Sequence, residues 1–437
     1  MNSIGLDIGT TSVCAIKADA LSGEITDIKT RPNNSFINTD KPFEKIQDPE
    51  KILNICRELL DSIIDTDTVS IGISTQMHGI LYVDKFGKSL SPFYIWQDMR
   101  GDKIFKDGKT YAGVLNTFPG YGSSTHLYNK VNGLIPHDAK KFTSIGDYVA
   151  MNLTGNNRPA VNITVAASFG CFDEEKNKFK NSEENFPDEY FPDVISDFSP
   201  VGKYKNIIVT PSIGDNQAGF LGAVGNSKDI LLNVGTGSQV SLISDYPSSS
   251  PSLETRPYDG KRYLLAGCAL CGGRAFSDVV KFIGECATVI TGEKYDNIYP
   301  FVDKLMSGSN GTAENKPIKF DTRFCGTRRD SSVTGSITGI TENNLTPYTF
   351  LVGALDGMAE ELFDYYSSSG VSAKEAVATG NGVRKNKKLK EIFERKFNMP
   401  VKIPKVREEA AFGAFLSSLI GIGKITFDDT KKYISYE

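Results

Sequence analysis

The residue best suited to carry chemistry is Asp215, in the segment Pro-Ser-Ile-Gly-Asp-Asn-Gln-Ala-Gly at residues 211–219. The apolar run at 207–209 predicts a buried strand before it, and residues 217–223 predict a helix after it. With a turn at Gly214, this pattern would put Asp215 at the edge of a sheet and the start of a helix. We therefore interpret Asp215 as the base of a phosphoryl-transfer enzyme, with Asn216 beside it.

A strand, a Gly-Thr turn and a second strand occur twice along the chain. The turn residues are Gly9, Thr10, Thr11 and Ser12 in the first copy, and Gly235, Thr236 and Gly237 in the second. Backbone N–H groups and hydroxyls in such a turn suit an anionic phosphate, although the first turn alone is equally compatible with a plain hairpin. The repetition predicts two related lobes whose turns face each other across a cleft and hold a polyphosphate between them.

Polar and aromatic residues follow two strand-like segments in the first half of the chain. They are Gln76, Met77 and His78 after the apolar run at 69–74, and Trp96, Asp98 and Arg100 in the segment 94–100. Such groups at strand ends can bind hydroxyls and cover the C–H face of a polyhydroxylated ligand. A core histidine and a core tryptophan remain the simpler interpretation from the residues alone.

Glycines mark the end of another strand-like run near the C-terminus. Gly380 and Gly382 follow the run at 376–379, and glycines there let a flat ligand approach the backbone closely. Neither this pair nor the pair at 235 and 237 has the third glycine of a dinucleotide fingerprint, which argues against a Rossmann fold. Helices are predicted over residues 385–397 and 408–419.

The composition is that of a soluble globular protein, with 39% apolar and 23% charged residues among 437. The formal net charge of −4 and the lack of a basic stripe argue against a nucleic-acid partner. No apolar run of about 20 residues and no leader-like start is present, so we expect neither a membrane span nor a signal peptide. The seven scattered cysteines favour a reducing, cytoplasmic location, with Cys268 and Cys271 as two small residues rather than a metal pair.

Together these motifs resemble the FGGY family of carbohydrate kinases, within the actin, hexokinase and heat-shock chaperone ATPase superfamily. Residues 7–11 resemble the family's first phosphate loop, 76–79 and 96–100 its sugar-site segments, 214–218 its catalytic motif and 235–237 its second phosphate loop. Gly380, Asn381 and Gly382 with Asn386 resemble its adenosine segment, in which three glycines are usual. Residues 120–122 and 324–330 are most similar to the sedoheptulokinases, although Thr327 stands where a Glu is common.

The resemblance implies an α/β fold of two ribonuclease H-like lobes around a central cleft, as in actin and hexokinase. We expect the sugar site and first phosphate loop in residues 1–224, and the second phosphate loop and adenosine site in residues 225–437. It also implies MgATP-dependent phosphorylation of the terminal primary hydroxyl of a ketose, with Asp7 holding Mg²⁺ and Asp215 as the base. A small sugar is then the partner, and the oligomeric state is left open with a homodimer as one alternative.

Two other functions remain compatible with the pattern. A kinase for a pentulose such as xylulose or ribulose would bind a similar ketose end, and sequence alone does not measure the depth of a pocket. An actin-like or chaperone-like ATPase switch would use the phosphate loops without sugar chemistry, but it has no need of the sugar-site segments or of Asp215 and Asn216. Release of ADP only in the presence of sugar would distinguish a kinase from such a switch.

Overall fold

The computed structural model describes residues 1–180, 189–295, 297–307, 318–328, 330 and 332–437. Within these ranges, strands and helices build two separate six-stranded sheets, which confirms the predicted α/β class. The strands are β1 (Asn2–Ile8), β2 (Ser12–Asp19), β3 (Ile25–Pro32), β4 (Ile46–Gln47), β5 (Thr68–Thr75), β6 (Leu81–Val83), β7 (Phe93–Tyr94), β8 (Ile104–Lys106), β9 (Lys109–Thr110), β10 (Lys141–Thr143), β11 (Ala160–Asn162), β12 (Phe172–Asp173), β13 (Lys178–Phe179), β14 (Asp193–Ile195), β15 (Gly202–Tyr204), β16 (Ile207–Gly214), β17 (Ile230–Val234), β18 (Ser238–Ser244), β19 (Glu254–Pro257), β20 (Tyr263–Ala269), β21 (Lys319–Asp321), β22 (Ser336–Thr338), β23 (Ala376–Thr379) and β24 (Val401–Lys402).

The helices connect these strands and cover the faces of the sheets. They are α1 (Pro49–Ile63), α2 (Tyr111–Val114), α3 (Gly122–Val131), α4 (Ile145–Thr154), α5 (Ile163–Ala166), α6 (Asp215–Ala223), α7 (Gly273–Thr291), α8 (Tyr299–Ser307), α9 (Pro347–Ser368), α10 (Asn381–Lys385), α11 (Lys387–Phe397) and α12 (Glu409–Gly421). Short 3₁₀ helices lie at Arg100–Asp102, Ala167–Phe169 and Phe427–Lys432. No helix of the described residues is long and apolar enough to cross a membrane.

The first sheet lies in the N-terminal half and has the strand order β15-β16-β5-β1-β2-β3. β1 pairs antiparallel with β2 and parallel with β5, which aligns Asp7 with Ser74 on the neighbouring strand. β16 continues the parallel part of the sheet beside β5. Apolar residues of α1 and α4 pack on one face of the central strands and α12 contacts the other, so both faces of β1 are buried.

The second sheet repeats this arrangement with the order β19-β20-β18-β17-β23-β24. β17 pairs antiparallel with β18 and parallel with β23, as β1 does with β2 and β5. β18 pairs antiparallel with β20, as β2 does with β3, and β23 pairs parallel with β24. Five strands of each sheet thus correspond in order and direction, while the sixth strands, β15 and β19, lie at opposite edges of their sheets. This correspondence confirms the predicted pair of ribonuclease H-like lobes.

Helices α6 and α12 pack against each other between the two sheets. One apolar cluster joins them to Ile16 of the first sheet and to Leu231 of the second. The close approach of α12 to β5 requires glycine at residue 72, because a Cβ there would lie 1.8 Å from the carbonyl oxygen of Ala414. Since α12 comes from the C-terminal half but contacts the first sheet, the domain boundary after residue 224 stays a prediction.

Two helices differ from the sequence-based expectation near the site. The helix predicted over 217–223 begins at Asp215, so Gly214 is its N-cap residue and Asp215 lies in its first turn. The helix predicted over 385–397 is interrupted at Asn386, whose backbone is extended. The side chain of Asn386 accepts a hydrogen bond from the backbone N–H of Leu389 and so caps α11.

Candidate active site

Asp215 lies where β16 ends and α6 begins. Asn216 Nδ2 donates a hydrogen bond to Asp215 Oδ1 at 2.8 Å and lies 3.3 Å from Met77 Sδ. Burial raises the pKa of Asp215 to about 6, against the opposing effects of two nearby guanidinium groups and of Asn216. The carboxyl group is therefore mostly ionised at neutral pH and can accept a proton.

A second carboxyl group, Asp7 on β1, lies in the electrostatic field of Asp215. Burial raises the pKa of Asp7 to about 7, and the carboxylates of Asp215 and Glu408 contribute to the increase. The opposing effect comes from Ser74, whose Oγ donates to Asp7 Oδ1 at 2.7 Å. Glu408 is the N-cap residue of α12 but makes no side-chain capping hydrogen bond, and no local motif in the sequence could have linked it to Asp7.

The carboxyl groups at this point do not form a complete metal cage. No group of three or more His, Cys, Asp or Glu side chains in the described part of the chain is arranged to hold a metal ion. Mg²⁺ in phosphoryl-transfer sites usually keeps several waters and is bound through one or two carboxylates together with substrate phosphates. Asp7 fits that donor set, because a cation would relieve the repulsion from Asp215 and Glu408.

Hydrogen bonds hold the first Gly-Thr turn against two of the predicted sugar segments. Thr10 Oγ1 donates to Gln76 Oε1 at 2.9 Å and accepts from Trp96 Nε1 at 3.0 Å. Gln47 was not predicted, and its Nε2 donates to the carbonyl oxygen of Thr10 at 2.8 Å. Thr11 and Ser12 are exposed at the tip of the turn. The structure thus brings the first turn, Gln76 and Trp96 together.

His78 has a neutral ring with one nitrogen bonded to the protein. Its backbone φ of 76° is unusual for a residue other than glycine. Nδ1 lies 2.8 Å from the carbonyl oxygen of Ser168, which can only accept, so Nδ1 carries the proton and Nε2 is an acceptor. Burial lowers the pKa of His78 to about 3, with the charges of Arg256 and Arg328 adding to the effect. The ring stacks on Tyr121 with centroids 4.1 Å apart.

Asp98 and Arg100 form a buried ion pair behind the segment that carries Trp96. Arg100 is 1% exposed and Asp98 is 0% exposed. Arg100 Nε donates to Asp98 Oδ1 at 2.7 Å, and Nη1 donates to Asn129 Oδ1 at 2.6 Å. The guanidinium carbon lies 4.1 Å from the centre of the Tyr94 ring. These contacts fix the loop after Trp96, and direct contact of either charge with a substrate stays a prediction.

The predicted nucleotide segments meet at a cavity of about 1090 Å³ at the carboxyl ends of β17 and β23. The predicted residues that line it are Gly235, Thr236, Gly380, Asn381, Gly382 and Asn386. Gly380 has a φ of 88°, and a Cβ there would lie 2.4 Å from the carbonyl oxygen of Val234. Gly237 lies on the other side of its turn, where a Cβ would lie 2.9 Å from the carbonyl oxygen of Ala269.

The second lobe contributes a charged cluster that the sequence analysis did not single out as a site. Arg256 Nη2 donates to Glu254 Oε2 at 2.5 Å, and Arg328 Nη1 donates to Glu254 Oε1 at 2.6 Å. Tyr121 of the first lobe also donates to Glu254 Oε2, at 3.2 Å. Burial raises the pKa of Glu254, but the two guanidinium groups outweigh it and hold the pKa at about 2. The two-residue spacing on β19 puts Glu254 and Arg256 on the same face of the strand. Their pairing could have been predicted from the sequence only if β19 had been recognised as a strand.

Two related lobes with paired Gly-Thr turns and adjacent carboxylates define the actin and hexokinase class of fold. Residues 2–222 match the FGGY family of carbohydrate kinases, N-terminal domain, and the chain therefore belongs to that family. The sedoheptulokinase of Mus musculus is 24% identical over 472 residues, which cover 95% of this chain and 97% of the mouse protein.

Solved structures agree in fold at low identity. The ligand-bound xylulose kinase from Lactobacillus acidophilus has a TM-score of 0.85 and 19% identity, covering 100% of this chain and 92% of its own. The Plasmodium falciparum glycerol kinase with ADP has a TM-score of 0.79 and 19% identity, and the match covers 98% of this chain and 91% of the glycerol kinase chain. The protein is accordingly a carbohydrate kinase with the two-lobe fold of these enzymes.

Proposed function

We propose that this kinase transfers the γ-phosphoryl group of ATP to the terminal primary hydroxyl of a ketose, with sedoheptulose 7-phosphate as the product. The proposal is carried by the electrostatic interaction between the carboxyl groups of Asp215 and Asp7, together with the contact of Asn216 with Met77 in the predicted sugar segment. Similarity to the mouse sedoheptulokinase over nearly its whole length supports a heptulose. The likeness in fold to a xylulose kinase favours a pentulose, D-xylulose or ribulose, as the second candidate.

In this proposal Asp215 accepts the proton of the sugar hydroxyl. The hydroxyl oxygen forms a bond to the γ-phosphorus while the bond to the leaving oxygen breaks and ADP departs. Because the transition state of phosphoryl transfer is loose, the proton can leave late and a carboxylate with a pKa of about 6 is basic enough. Asn216 keeps the carboxylate oriented through its hydrogen bond to Oδ1.

The first lobe binds the sugar in the same scheme. Gln76, Met77 and His78 follow β5 and would contact the hydroxyls together with Asn216. The Trp96 side chain is 43% exposed, which suits a ring that covers the C–H face of a sugar. The buried Asp98 and Arg100 pair would hold the loop after Trp96 in place, and direct contact of either side chain with the sugar stays a prediction.

The nucleotide is held between the two Gly-Thr turns and the large cavity of the second lobe. The phosphate-binding residues are Gly9, Thr10, Thr11 and Ser12 in the first turn and Gly235, Thr236 and Gly237 in the second. The segment of Gly380, Asn381, Gly382 and Asn386 would receive the adenosine, and the ADP in the glycerol kinase of like fold supports this assignment. When bound, Mg²⁺ held through Asp7 would neutralise charge on the phosphates.

The test is ADP release by the purified protein with MgATP and a panel of sugars: sedoheptulose, D-xylulose, ribulose, glycerol and gluconate. We expect release that depends on a ketose, with the highest kcat/KM for sedoheptulose. Equal release without any sugar would instead identify an ATPase switch. A homodimer and a cytoplasmic location stay predictions.

A further inference from the structure

A smaller cavity of about 230 Å³ lies between the lobes, and Arg256 in its lining acts electrostatically on Asp215. Its wall from the first lobe includes His78, Tyr121 and Ser168, and its wall from the second lobe includes Glu254 and Arg256 on β19. The hydrogen bond from Tyr121 to Glu254 joins the two walls. The lining is therefore built from both lobes, and it combines buried polar residues (His78, Ser168 and Arg256) with apolar residues such as Phe172 and with the exposed Lys180.

Arg256 is the member of this lining whose hydrogen bonding is incomplete. It is 4% exposed, and its Nη2 is paired with Glu254. Its Nη1 has no hydrogen-bond partner anywhere in the described residues. Both oxygens of Glu254 already accept, from Arg328, Arg256 and Tyr121. The Cys268 thiol interacts with the guanidinium group but is a weak acceptor. Because a buried charged donor without a strong acceptor is costly, an oxygen atom of a ligand would complete the hydrogen bonding of Nη1.

His78 offers the complementary group in the same lining. Its Nδ1 donates to the carbonyl oxygen of Ser168, and its ring is neutral, so Nε2 presents a lone pair. One N–H donor and one nitrogen acceptor thus belong to a single cavity. A hydroxymethyl ketone presents the matching pair, since its keto oxygen accepts and its neighbouring hydroxyl donates.

The charges around the cavity also favour a neutral ligand. The charged residues that line it are Glu174 and Glu254, which are acidic, and Lys180 and Arg256, which are basic, so the two signs balance. An aldonate carboxylate would add an unbalanced charge to a buried site, which is unfavourable.

We propose that this cavity binds the carbonyl end of the ketose, with Arg256 Nη1 donating to the keto oxygen and His78 Nε2 accepting from the adjacent hydroxyl. Glu254, Arg328 and Tyr121 are positioning residues that fix the guanidinium group and the imidazole ring. The proposal rests on the proposed function and explains why that enzyme would select a ketose over glycerol or an aldonate.

The first test uses the wild-type enzyme and two substrates, the ketose and its analogue with CH₂ in place of the keto group. Loss of a hydrogen bond to a charged group lowers kcat/KM by roughly 10- to 150-fold, and we expect that loss for the analogue. Equal kcat/KM for both substrates would overturn the subsite while leaving the proposed function intact. If the enzyme phosphorylated glycerol or gluconate but no ketose, both the proposed function and the subsite would be wrong.

The second test uses Arg256→Gln and the control Arg262→Gln, which breaks an ion pair with Asp259 outside the cavity. At pH 8, where Asp215 is ionised, Arg256→Gln should raise the KM for the ketose and lose its discrimination against the analogue. The control should keep both values. A variant that lowered kcat alone and still discriminated would show that Arg256 acts through Asp215, which would refute the subsite. If Arg256→Gln does not fold, the wild-type comparison alone decides.

Discussion

Replacing Asp7 by Asn should stabilise the ligand-free protein at alkaline pH while abolishing its activity. The substitution keeps an oxygen that can accept the hydrogen bond from Ser74. It removes the negative charge that burial, Asp215 and Glu408 all disfavour. Asp7 would then carry a negative charge that catalysis needs but that lowers the stability of the folded protein.

The magnitude follows from the difference in pKa between the unfolded and folded states. The pKa of Asp7 rises from 3.8 to about 7 on folding, so the folded protein binds this proton more tightly. Protonation of Asp7 therefore contributes fully to the free energy of unfolding below pH 3.8, and this contribution is lost as the pH rises towards and through 7. At about 1.4 kcal/mol per pKa unit, the free energy of unfolding can fall by at most ~4 kcal/mol through Asp7. We expect ~1–3 kcal/mol, because the Asp7 side chain is only partly buried and solvent screens its charge.

Urea unfolding of wild type and Asp7→Asn between pH 5 and pH 8 measures the effect. The variant should become progressively more stable than wild type as the pH rises, with a difference of ~1–3 kcal/mol at pH 8. Asp67→Asn is the matched control, because it makes the same change at an exposed side chain, and it should leave the free energy of unfolding close to that of wild type. A variant less stable than wild type at pH 8, or one with an unchanged pH dependence, would refute the reasoning.

Further outcomes concern the base, the helix between the sheets and the tryptophan. The kcat/KM for the ketose, which reports ionisation of the free enzyme, should fall as the pH drops below 6, because Asp215 must be ionised and burial raises its pKa to about 6; a constant kcat/KM from pH 5 to pH 8 would contradict its role. Gly72→Ala should lower the free energy of unfolding by ~1–3 kcal/mol, because its Cβ would lie 1.8 Å from the carbonyl oxygen of Ala414. Gly219→Ala, whose Cβ would point into open space on α6, should raise the free energy of unfolding by ~0.5–1 kcal/mol, and urea unfolding measures both variants. Trp96 is the only tryptophan and is 43% exposed, so ketose binding should shift its fluorescence to shorter wavelength; saturable binding without a shift would argue against its contact with sugar.

Local patterns were sufficient for much of the fold and for the phosphate-binding turns. The two strand–turn–strand units depend on neighbours in sequence, so their apolar runs and glycines predicted the strand pair around each turn (β1 with β2, and β17 with β18) and the relation between the two lobes. The start of α6 was placed two residues late, because Asp215 and Asn216 are weak helix formers that are favourable in a first turn.

The electrostatic surroundings of the site could not be predicted, because they depend on contacts between distant parts of the chain. Glu408 reaches Asp7 only because α12 returns to the first sheet. Arg256 and Arg328 influence Asp215 from the second lobe. The neutral state of His78 likewise depends on burial and on those charges, neither of which its own motif encodes.

The central claim is that Asp215 accepts a proton from a sugar hydroxyl during phosphoryl transfer. The most direct measurement is the kcat of ketose-dependent ADP release at pH 8 for wild type and Asp215→Asn, which keeps the side chain's size and the hydrogen bond from Asn216. We expect kcat to fall ~10²- to 10⁴-fold while the dissociation constant for the ketose changes little. Turnover near the wild-type rate in the variant, or ADP release that does not require sugar, would contradict it.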